Sequence, residues 1–108
     1  TWIVNGSNDS WFGKTSGPWQ HLNIASYRSI EEGLPAVRAT PTGVSAVIDG
    51  YGRSRTTLPV GSEGVIDASL PGAIGATLYA KFGELFFWSL VVLGLVAALP
   101  FSRLTKRP

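Results

Sequence analysis

The 108-residue sequence contains no cysteine and no methionine. The lack of cysteine excludes disulfides, thiolate metal sites and a cysteine nucleophile within these residues. His21 is the single histidine, which excludes a histidine-rich metal site. We expect no metal site, and we also expect no cofactor. A complete translated chain starts with Met, whereas the segment from Thr1 to Val4 already has the pattern of a strand. From this we expect the chain to be the C-terminal piece of a longer protein.

Charge is also scarce. Nine basic and seven acidic residues give a net charge of +2, which is too small to indicate a nucleic-acid partner. Three of the basic residues, Arg103, Lys106 and Arg107, lie within the last six positions. We therefore predict a short basic tail over residues 103–108.

One long apolar run precedes this tail. From Leu85 to Phe101, Ser89 is the only clearly polar side chain. As a helix this run is about 25 Å long, and the residues beside it can supply the rest of a hydrocarbon core about 30 Å thick. The run therefore predicts a transmembrane helix over residues 84–102. The alternative, a buried core helix, would have to be covered on every side, and the rest of so short a chain cannot do that.

The flanks of this segment predict its orientation. Lys81 and Glu84 cancel on the upstream side, whereas the tail is cationic. The positive-inside rule then places the tail in the cytoplasm and residues 1–80 on the other side of the membrane, joined to the helix by a juxtamembrane segment, residues 77–83. Gly94 and Ala98 are four residues apart and could seat a neighbouring helix, although such pairs also arise by chance.

The first 76 residues have the pattern of a globular domain. A helix is predicted from a cap at Ser16, with Pro18 in its first turn and a stop at Gly33. Asp49-Gly50-Tyr51-Gly52 predicts a hairpin turn. The predicted strands are Trp2–Asn5, 35–40, 44–48, 53–58 and 63–70. The order of strand, helix and then several strands predicts an α/β or α+β fold, with a sheet built mostly by residues 36–70. The helix residues Leu22, Ala25, Ser26, Ser29 and Ile30 share one small-sided face that suits packing on a sheet.

The loop from Gly6 to Gly17 holds the candidate site residues. Asp9, Ser10 and His21 are the residue types of a hydrolytic triad, but closeness in sequence is no evidence for a triad, and His21 is more typical of capping or packing. Gly13-Lys14-Thr15 lacks the upstream glycine of a phosphate-binding loop. Trp11 and Phe12 are costly to leave in water, so they either cap the core or line a pocket at the end of the strand.

Two neighbouring motifs, one in this loop and one at the start of the predicted helix, carry a family resemblance. Ser7-Asn8-Asp9-Ser10-Trp11-Phe12-Gly13 and Gly17-Pro18-Trp19-Gln20-His21 resemble the C-terminal portion of the apolipoprotein N-acyltransferases. The resemblance covers nearly the whole chain and continues through Arg28, Glu31, Pro35, Arg38, Thr40, Gly43, Asp49, Gly52, Gly75, Thr77, Tyr79 and Gly83. The chain departs from the family pattern at Ser26, Pro41, Leu78 and Glu84. Of these, Pro41 removes a backbone donor beside Gly43.

The resemblance implies a fold and an activity. The fold is the C-terminal part of a nitrilase-like αββα sandwich (residues 1–76), followed by one transmembrane helix, with the domain on the periplasmic side of the bacterial inner membrane. The activity is transfer of an acyl chain from a phospholipid donor to the N-terminal amine of a diacylglyceryl-lipoprotein acceptor. It proceeds through a thioester on a cysteine, helped by a glutamate and a lysine. In the family's order all three residues lie upstream of Thr1, so no catalytic residue is predicted in this chain.

Within the chain we predict that Trp11 contacts the substrate, with Asn8 and Asp9 as polar residues that shape the loop and its binding surface. We expect a monomer. Two other functions stay open: a membrane-tethered amidohydrolase of the nitrilase superfamily, and a non-catalytic membrane anchor or scaffold.

Overall fold

The computed structural model of the protein describes residues 1–104. Its regular elements are β1 (Ile3–Gly6), α1 (Gly17–Glu32), β2 (Ala36–Ala39), β3 (Ser45–Ile48), β4 (Ser54–Leu58), α2 (Leu78–Phe82) and α3 (Leu85–Leu104). A single 3₁₀ turn, Ser10–Phe12, lies between β1 and α1. The α/β class is thus confirmed, and the strands predicted at 2–5, 35–40, 44–48 and 53–58 are present with slightly different ends.

The four strands form one mixed sheet in the order β1-β2-β3-β4. β1 pairs with β2 in parallel, and the crossover that a parallel pair requires is provided by α1. β2 pairs antiparallel with β3, and β3 antiparallel with β4. Consequently β1, β2 and β4 run in the same direction, and their carboxyl ends meet at one edge of the sheet.

The core lies between α1 and one face of the sheet. Leu22 packs there with Ala36, Val44, Ala46 and Ile48. Small side chains on the helix allow this close approach, and Ala25, Ser26 and Ser29 are buried as predicted. Ile30 was predicted on the same face, but its side chain is 44% exposed. It lies at the rim, where it meets Gly52 of the hairpin turn.

Both ends of α1 have identifiable causes. Gly33 ends the helix in the left-handed conformation, with φ of 68°, and its N–H donates to the Ser29 carbonyl, as the stop signal predicted. Ser16 occupies the N-cap position, but its side chain makes no capping hydrogen bond, so that part of the prediction is wrong. Thr15 takes the role instead: its Oγ1 accepts from the Gly17 N–H at 3.1 Å and donates to the Phe12 carbonyl at 2.7 Å.

The strand predicted over residues 63–70 is absent. Residues 59–77 contain no helix and no strand. The alternation of Ile66, Ala68 and Leu70 suggested a buried face, but only Ile66 is partly covered, and Val65 on the other side is 92% exposed. A strand of this kind is stabilised by a pairing neighbour and a core to cover, and the segment has neither among the described residues.

The segment after this loop is helical. Thr77 caps α2 by accepting from the Ala80 N–H at 3.0 Å, and its hydroxyl also donates to the Glu31 carbonyl at the end of α1. Gly83, with φ of 54°, separates α2 from α3. α3 begins at Leu85, so the predicted helix exists, and its side chains up to Leu99 are almost all exposed.

Within residues 1–104, no helix combines the length and apolar character needed to cross a bilayer. The transmembrane assignment therefore stays a prediction. Residues 105–108 of the predicted basic tail lie outside the described residues.

Candidate functional site

A cleft opens at the edge of the sheet where β1, β2 and β4 end; we refer to it as the carboxyl-edge cleft. It has a volume of about 560 Å³. It is lined by Asp9, Ser10, Gly13 and Lys14 from the loop after β1, by Pro41 and Thr42 from the loop after β2, and by residues 60–63 after β4. In α/β proteins ligands bind at the carboxyl ends of strands, because loops from several strands converge there.

The floor of this cleft is a buried ion pair between Asp9 and Arg38. Arg38 Nη2 lies 2.8 Å from Asp9 Oδ2, and neither side chain is accessible to solvent. Arg38 also donates from Nε to the Val44 carbonyl at 3.2 Å and from Nη1 to the Asn5 side-chain oxygen. A buried charge is tolerated when it is paired and its donors are satisfied. The guanidinium therefore links β1, β2 and the start of β3 to the loop that carries Asp9.

The same contacts set the ionisation of Asp9. Burial raises the pKa of this carboxyl, but hydrogen bonds from His21, Ser7 and Arg38, together with the Arg38 charge, outweigh it and hold the pKa below its ordinary value. Asp9 is therefore ionised at neutral pH. Both of its oxygens are occupied: Oδ1 by Ser7 at 2.9 Å and His21 at 2.8 Å, and Oδ2 by Arg38.

Ser10, the serine of the candidate triad, makes no side-chain hydrogen bond to His21 within residues 1–104, and Ser7 lies beside His21 instead. The arrangement of Ser7, Asp9 and His21 also differs from that of a hydrolytic triad. Nδ1 of His21 lies 2.8 Å from Asp9 Oδ1 and 3.5 Å from Ser7 Oγ, so serine and carboxylate meet the same ring nitrogen. In a triad they occupy opposite nitrogens, so that the imidazole can take the serine proton. Here the Ser7 hydroxyl donates to Asp9 instead. Because an ionised carboxylate only accepts, Nδ1 is assigned the proton and donates to Asp9.

The loop after β2 packs against Asp9 of the buried ion pair. A side chain at Gly43 would collide with the Asp9 carboxylate and with Thr40, so only glycine allows this approach. The Gly43 N–H donates to Thr40 Oγ1 at 2.5 Å, and the Thr40 N–H donates to Ser45 Oγ at 3.0 Å. The turn thus forms its hydrogen bonds from these residues although Pro41 supplies no donor.

The predicted site residues occupy three different environments. Trp11 is 87% exposed, so the interpretation that it caps the core is wrong. It is not among the residues lining the carboxyl-edge cleft, and its contact with substrate stays a prediction. Asn8 accepts the Ser10 N–H at 3.1 Å and closes the loop locally. Asp9 is buried beneath the cleft. Phe12 packs edge-on against His21, with ring centroids 5.7 Å apart.

Sequence reasoning grouped His21 with Asp9 but missed the roles of Arg38 and Asn5. Arg38 was noted only as part of the resemblance. It lies in the middle of a predicted strand, two residues after Ala36 and opposite Ala46, and both alanines belong to the core. A charged residue at such a position indicates a buried ion pair. Its partner lies 29 positions away, and no spacing rule identifies it. The role of Asn5 likewise becomes visible only when β1 and β2 are aligned in register, since Asn5 is paired with Arg38.

A second cavity lies at the other end of the molecule. It has a volume of about 950 Å³ and is lined by apolar and aromatic residues of α2 and the first turn of α3, among them Tyr79, Phe82 and Phe86. It contains Glu84 as its only ionisable group besides the Tyr79 phenol. This composition suits an apolar neighbour better than acid–base chemistry.

Comparison with known proteins matches this architecture to a family. The carbon-nitrogen hydrolase family profile matches residues 1–79. The apolipoprotein N-acyltransferase of Caulobacter vibrioides is 52% identical over 99 residues, which cover 89% of this chain and 19% of that protein. Those of Bradyrhizobium diazoefficiens and Rhodopseudomonas palustris are each 51% identical, over 98% and 99% of this chain and 20% and 19% of their own lengths.

The predicted resemblance to the apolipoprotein N-acyltransferases is thereby confirmed. The chain spans about a fifth of the length of these curated relatives. The mixed sheet, with α1 covering one face, fits a carbon-nitrogen hydrolase domain. The chain belongs to the carbon-nitrogen hydrolase family.

Proposed function

We propose that this chain forms part of an apolipoprotein N-acyltransferase, which moves an acyl chain from a phospholipid to the N-terminal amine of a diacylglyceryl-lipoprotein. One observation carries the proposal. The family profile ends at residue 79, whereas identity to the named acyltransferases continues over 98% and 99% of the chain, through α2 and α3. An amidohydrolase relationship alone would account for the globular part but not for a match that extends beyond residue 79 over α2 and α3.

The proposed chemistry divides between this chain and residues outside it. In the first step a cysteine thiolate attacks the ester carbonyl of the phospholipid, a thioester forms and the lysophospholipid alcohol leaves. In the second step the lipoprotein amine attacks the thioester, an amide forms and the thiolate leaves. This chain contains no cysteine, so its role is to supply one wall of the site through the loops of the carboxyl-edge cleft.

We further propose that α3 lies in the bacterial inner membrane, with residues 1–80 periplasmic and the C-terminus cytoplasmic. The support comes from the sequence: from Leu85 to Phe101, Ser89 is the only clearly polar side chain, and the residues beside this run can complete a span of about 30 Å. Large apolar side chains such as Phe86, Leu93 and Leu95 are more than half exposed, which is unfavourable in water. A domain beside the bilayer is well placed to draw its acyl donor from it.

A segment exchange tests the proposed function. The segment of the Caulobacter vibrioides relative that matches this chain is replaced by residues 1–108, giving a protein that we call the grafted enzyme. We expect it to transfer a labelled acyl chain from phospholipid to a synthetic diacylglyceryl-cysteine peptide. The unmodified relative serves as the positive control. A grafted enzyme that inserts and folds, but neither forms the thioester nor acylates the peptide, would contradict the proposal.

The amidohydrolase alternative predicts a different product. The same grafted enzyme, incubated with simple amides and with the acylated peptide, would then release ammonia or free acid without phospholipid. We expect no release above that of a heat-inactivated sample. Hydrolysis without transfer would favour the amidohydrolase.

A further inference from the structure

The Asp9–Arg38 ion pair is buried beneath the carboxyl-edge cleft and has no part in the proposed chemistry. We infer that Arg38 and Asp9 are positioning residues, which hold the loop carrying Trp11 against the loop after β2 and so set the shape of the substrate-binding wall. This inference rests on the proposed function, because its effect is measured on acyl transfer. It assigns to the pair a role in turnover beyond its contribution to stability.

The geometry supports a positioning role through the number of elements that the pair connects. Arg38 projects from β2 and reaches Asn5 on β1, the Val44 carbonyl before β3, and Asp9 in the loop. Asp9 in turn receives His21 from α1. Each of the three nitrogens of one planar guanidinium thus donates to a different segment around the cleft.

The loop itself depends on Asp9 for its shape. Asp9 directly precedes the 3₁₀ turn Ser10–Phe12, and its carbonyl accepts the Phe12 N–H at 3.1 Å. Its side chain meanwhile lies against Gly43 of the opposite loop. Trp11 has no burial of its own to hold it, since it is almost fully exposed. Its position is therefore set by the residues before it, and chiefly by Asp9.

The energetics of buried ion pairs favour a positioning role for Asp9 and Arg38 over a contribution to stability alone. The cost of removing two charges from water often cancels what a buried ion pair contributes to stability. What such a pair does provide is a defined geometry, because each partner has few alternative positions. Displacement of a binding group by about 1 Å can reduce turnover by up to about a hundredfold. A small shift of the guanidinium would thus change activity more than stability.

Arg38→Lys in the grafted enzyme tests the inference. Lysine keeps the buried charge beside Asp9 but cannot reach Asn5, Asp9 and the Val44 carbonyl together. We expect kcat/KM for the diacylglyceryl peptide to fall about tenfold or more per folded molecule. The control is Arg53→Lys, the same substitution in an ion pair with Asp49, 2.9 Å apart, whose arginine is exposed and does not line the cleft. This control should leave transfer unchanged.

A double-mutant cycle separates positioning from a merely structural role. If Arg38 acts through the loop that carries Trp11, then Arg38→Lys should have little further effect in a Trp11→Ala background. Independent, additive losses in kcat/KM would overturn the inference. Ser7→Ala provides a milder variant, since it removes only one hydrogen bond to Asp9, and we expect a loss of about threefold that also vanishes with Trp11→Ala.

The outcomes distinguish this inference from the proposed function. A grafted enzyme without any transfer activity would contradict the proposed function itself. An active grafted enzyme in which Arg38→Lys and Ser7→Ala behave like Arg53→Lys would contradict only the positioning role. Should Arg38→Lys fail to fold, the Ser7→Ala cycle decides alone: coupling with Trp11→Ala supports positioning, and additivity overturns it.

Discussion

Asp49 shows at the scale of one residue how a turn is built around a carboxylate. Its Oδ1 accepts the N–H groups of Tyr51 and Arg53, each at 3.0 Å, while Oδ2 lies 2.9 Å from Arg53 Nε. Burial raises the pKa of Asp49, but these hydrogen bonds and the Arg53 charge outweigh it and lower the pKa below the ordinary value. The turn is therefore more stable when Asp49 is ionised.

This shift predicts a pH dependence of stability. Because the folded pKa of Asp49 is lower than the unfolded one, its contribution is present above about pH 4 and is lost as pH falls through the folded pKa. We expect Asp49→Asn to lower the thermal midpoint of the grafted enzyme at neutral pH, and the difference from the parent to shrink on acidification. Thermal unfolding in detergent between about pH 3 and pH 7 measures it. A difference independent of pH would contradict the assigned ionic role.

Trp11 allows a second prediction at this scale. The side chain of Trp11 is 87% exposed. Trp11→Ala should therefore change the free energy of unfolding of the grafted enzyme by no more than about 0.5 kcal/mol, as is usual for surface substitutions. If Trp11 contacts the substrate, the same variant should lower acyl transfer several-fold. Trp19→Ala, at a half-exposed tryptophan on α1, is the matched control. Undiminished transfer by folded Trp11→Ala would remove Trp11 from the binding surface.

At the scale of elements, Gly33 connects the end of α1 to the segment before α2. It ends α1 with a positive φ, and its carbonyl accepts the Ile74 N–H at 2.9 Å. A Cβ at this position would collide with the Gly75 carbonyl and press on Ile74 and Thr77. The close approach of the segment before α2 to the end of α1 thus requires glycine.

Gly33→Ala should therefore destabilise the junction. The left-handed conformation alone costs an alanine about 1–2 kcal/mol, and the collision with a backbone carbonyl adds to it. We expect faster amide exchange at Ile74 together with a lower thermal midpoint of the grafted enzyme. Gly72→Ala is the control, because Gly72 has an ordinary φ and no atom within 4 Å of an added Cβ. Equal effects of the two variants would contradict this account.

The helices and strands also show which parts of the fold could be predicted from local sequence patterns. The Asp49–Gly52 turn, the Gly33 stop and the two strands of the hairpin were predicted from local patterns, and the structure has all three. The strand predicted over residues 63–70 failed because alternation does not reveal whether a neighbouring strand is available. The ion pair beneath the cleft joins positions 9 and 38, and only the parallel pairing of β1 and β2 brings them together. Local patterns predicted the scaffold, whereas the site depends on register.

At the scale of the whole molecule, the missing nucleophile determines what the chain can do alone. Without cysteine, the isolated 108 residues should form no thioester with labelled phospholipid and acylate no peptide. Ser7 does not replace the thiol, because its hydroxyl donates a hydrogen bond to Asp9, a carboxylate whose pKa is held low and which is therefore a weak base. Mass spectrometry after incubation with phospholipid in detergent checks this. An acylated adduct on the isolated chain would contradict the division of chemistry proposed above.

The orientation of the molecule in the membrane is the last prediction. Lys81 and Glu84 cancel before α3, whereas Arg103, Lys106 and Arg107 follow its apolar part. The positive-inside rule therefore places Pro108 in the cytoplasm and the carboxyl-edge cleft in the periplasm. Fused after Pro108 of the grafted enzyme, green fluorescent protein should fluoresce and alkaline phosphatase should be inactive. Replacing the three basic residues by glutamine should weaken this preference, because their positive charge is what keeps the tail on the cytoplasmic side. Strong phosphatase activity in the unaltered fusion would contradict this orientation. It would mean that Pro108 is periplasmic and that the cleft lies on the side of the membrane opposite the proposed lipoprotein acceptor.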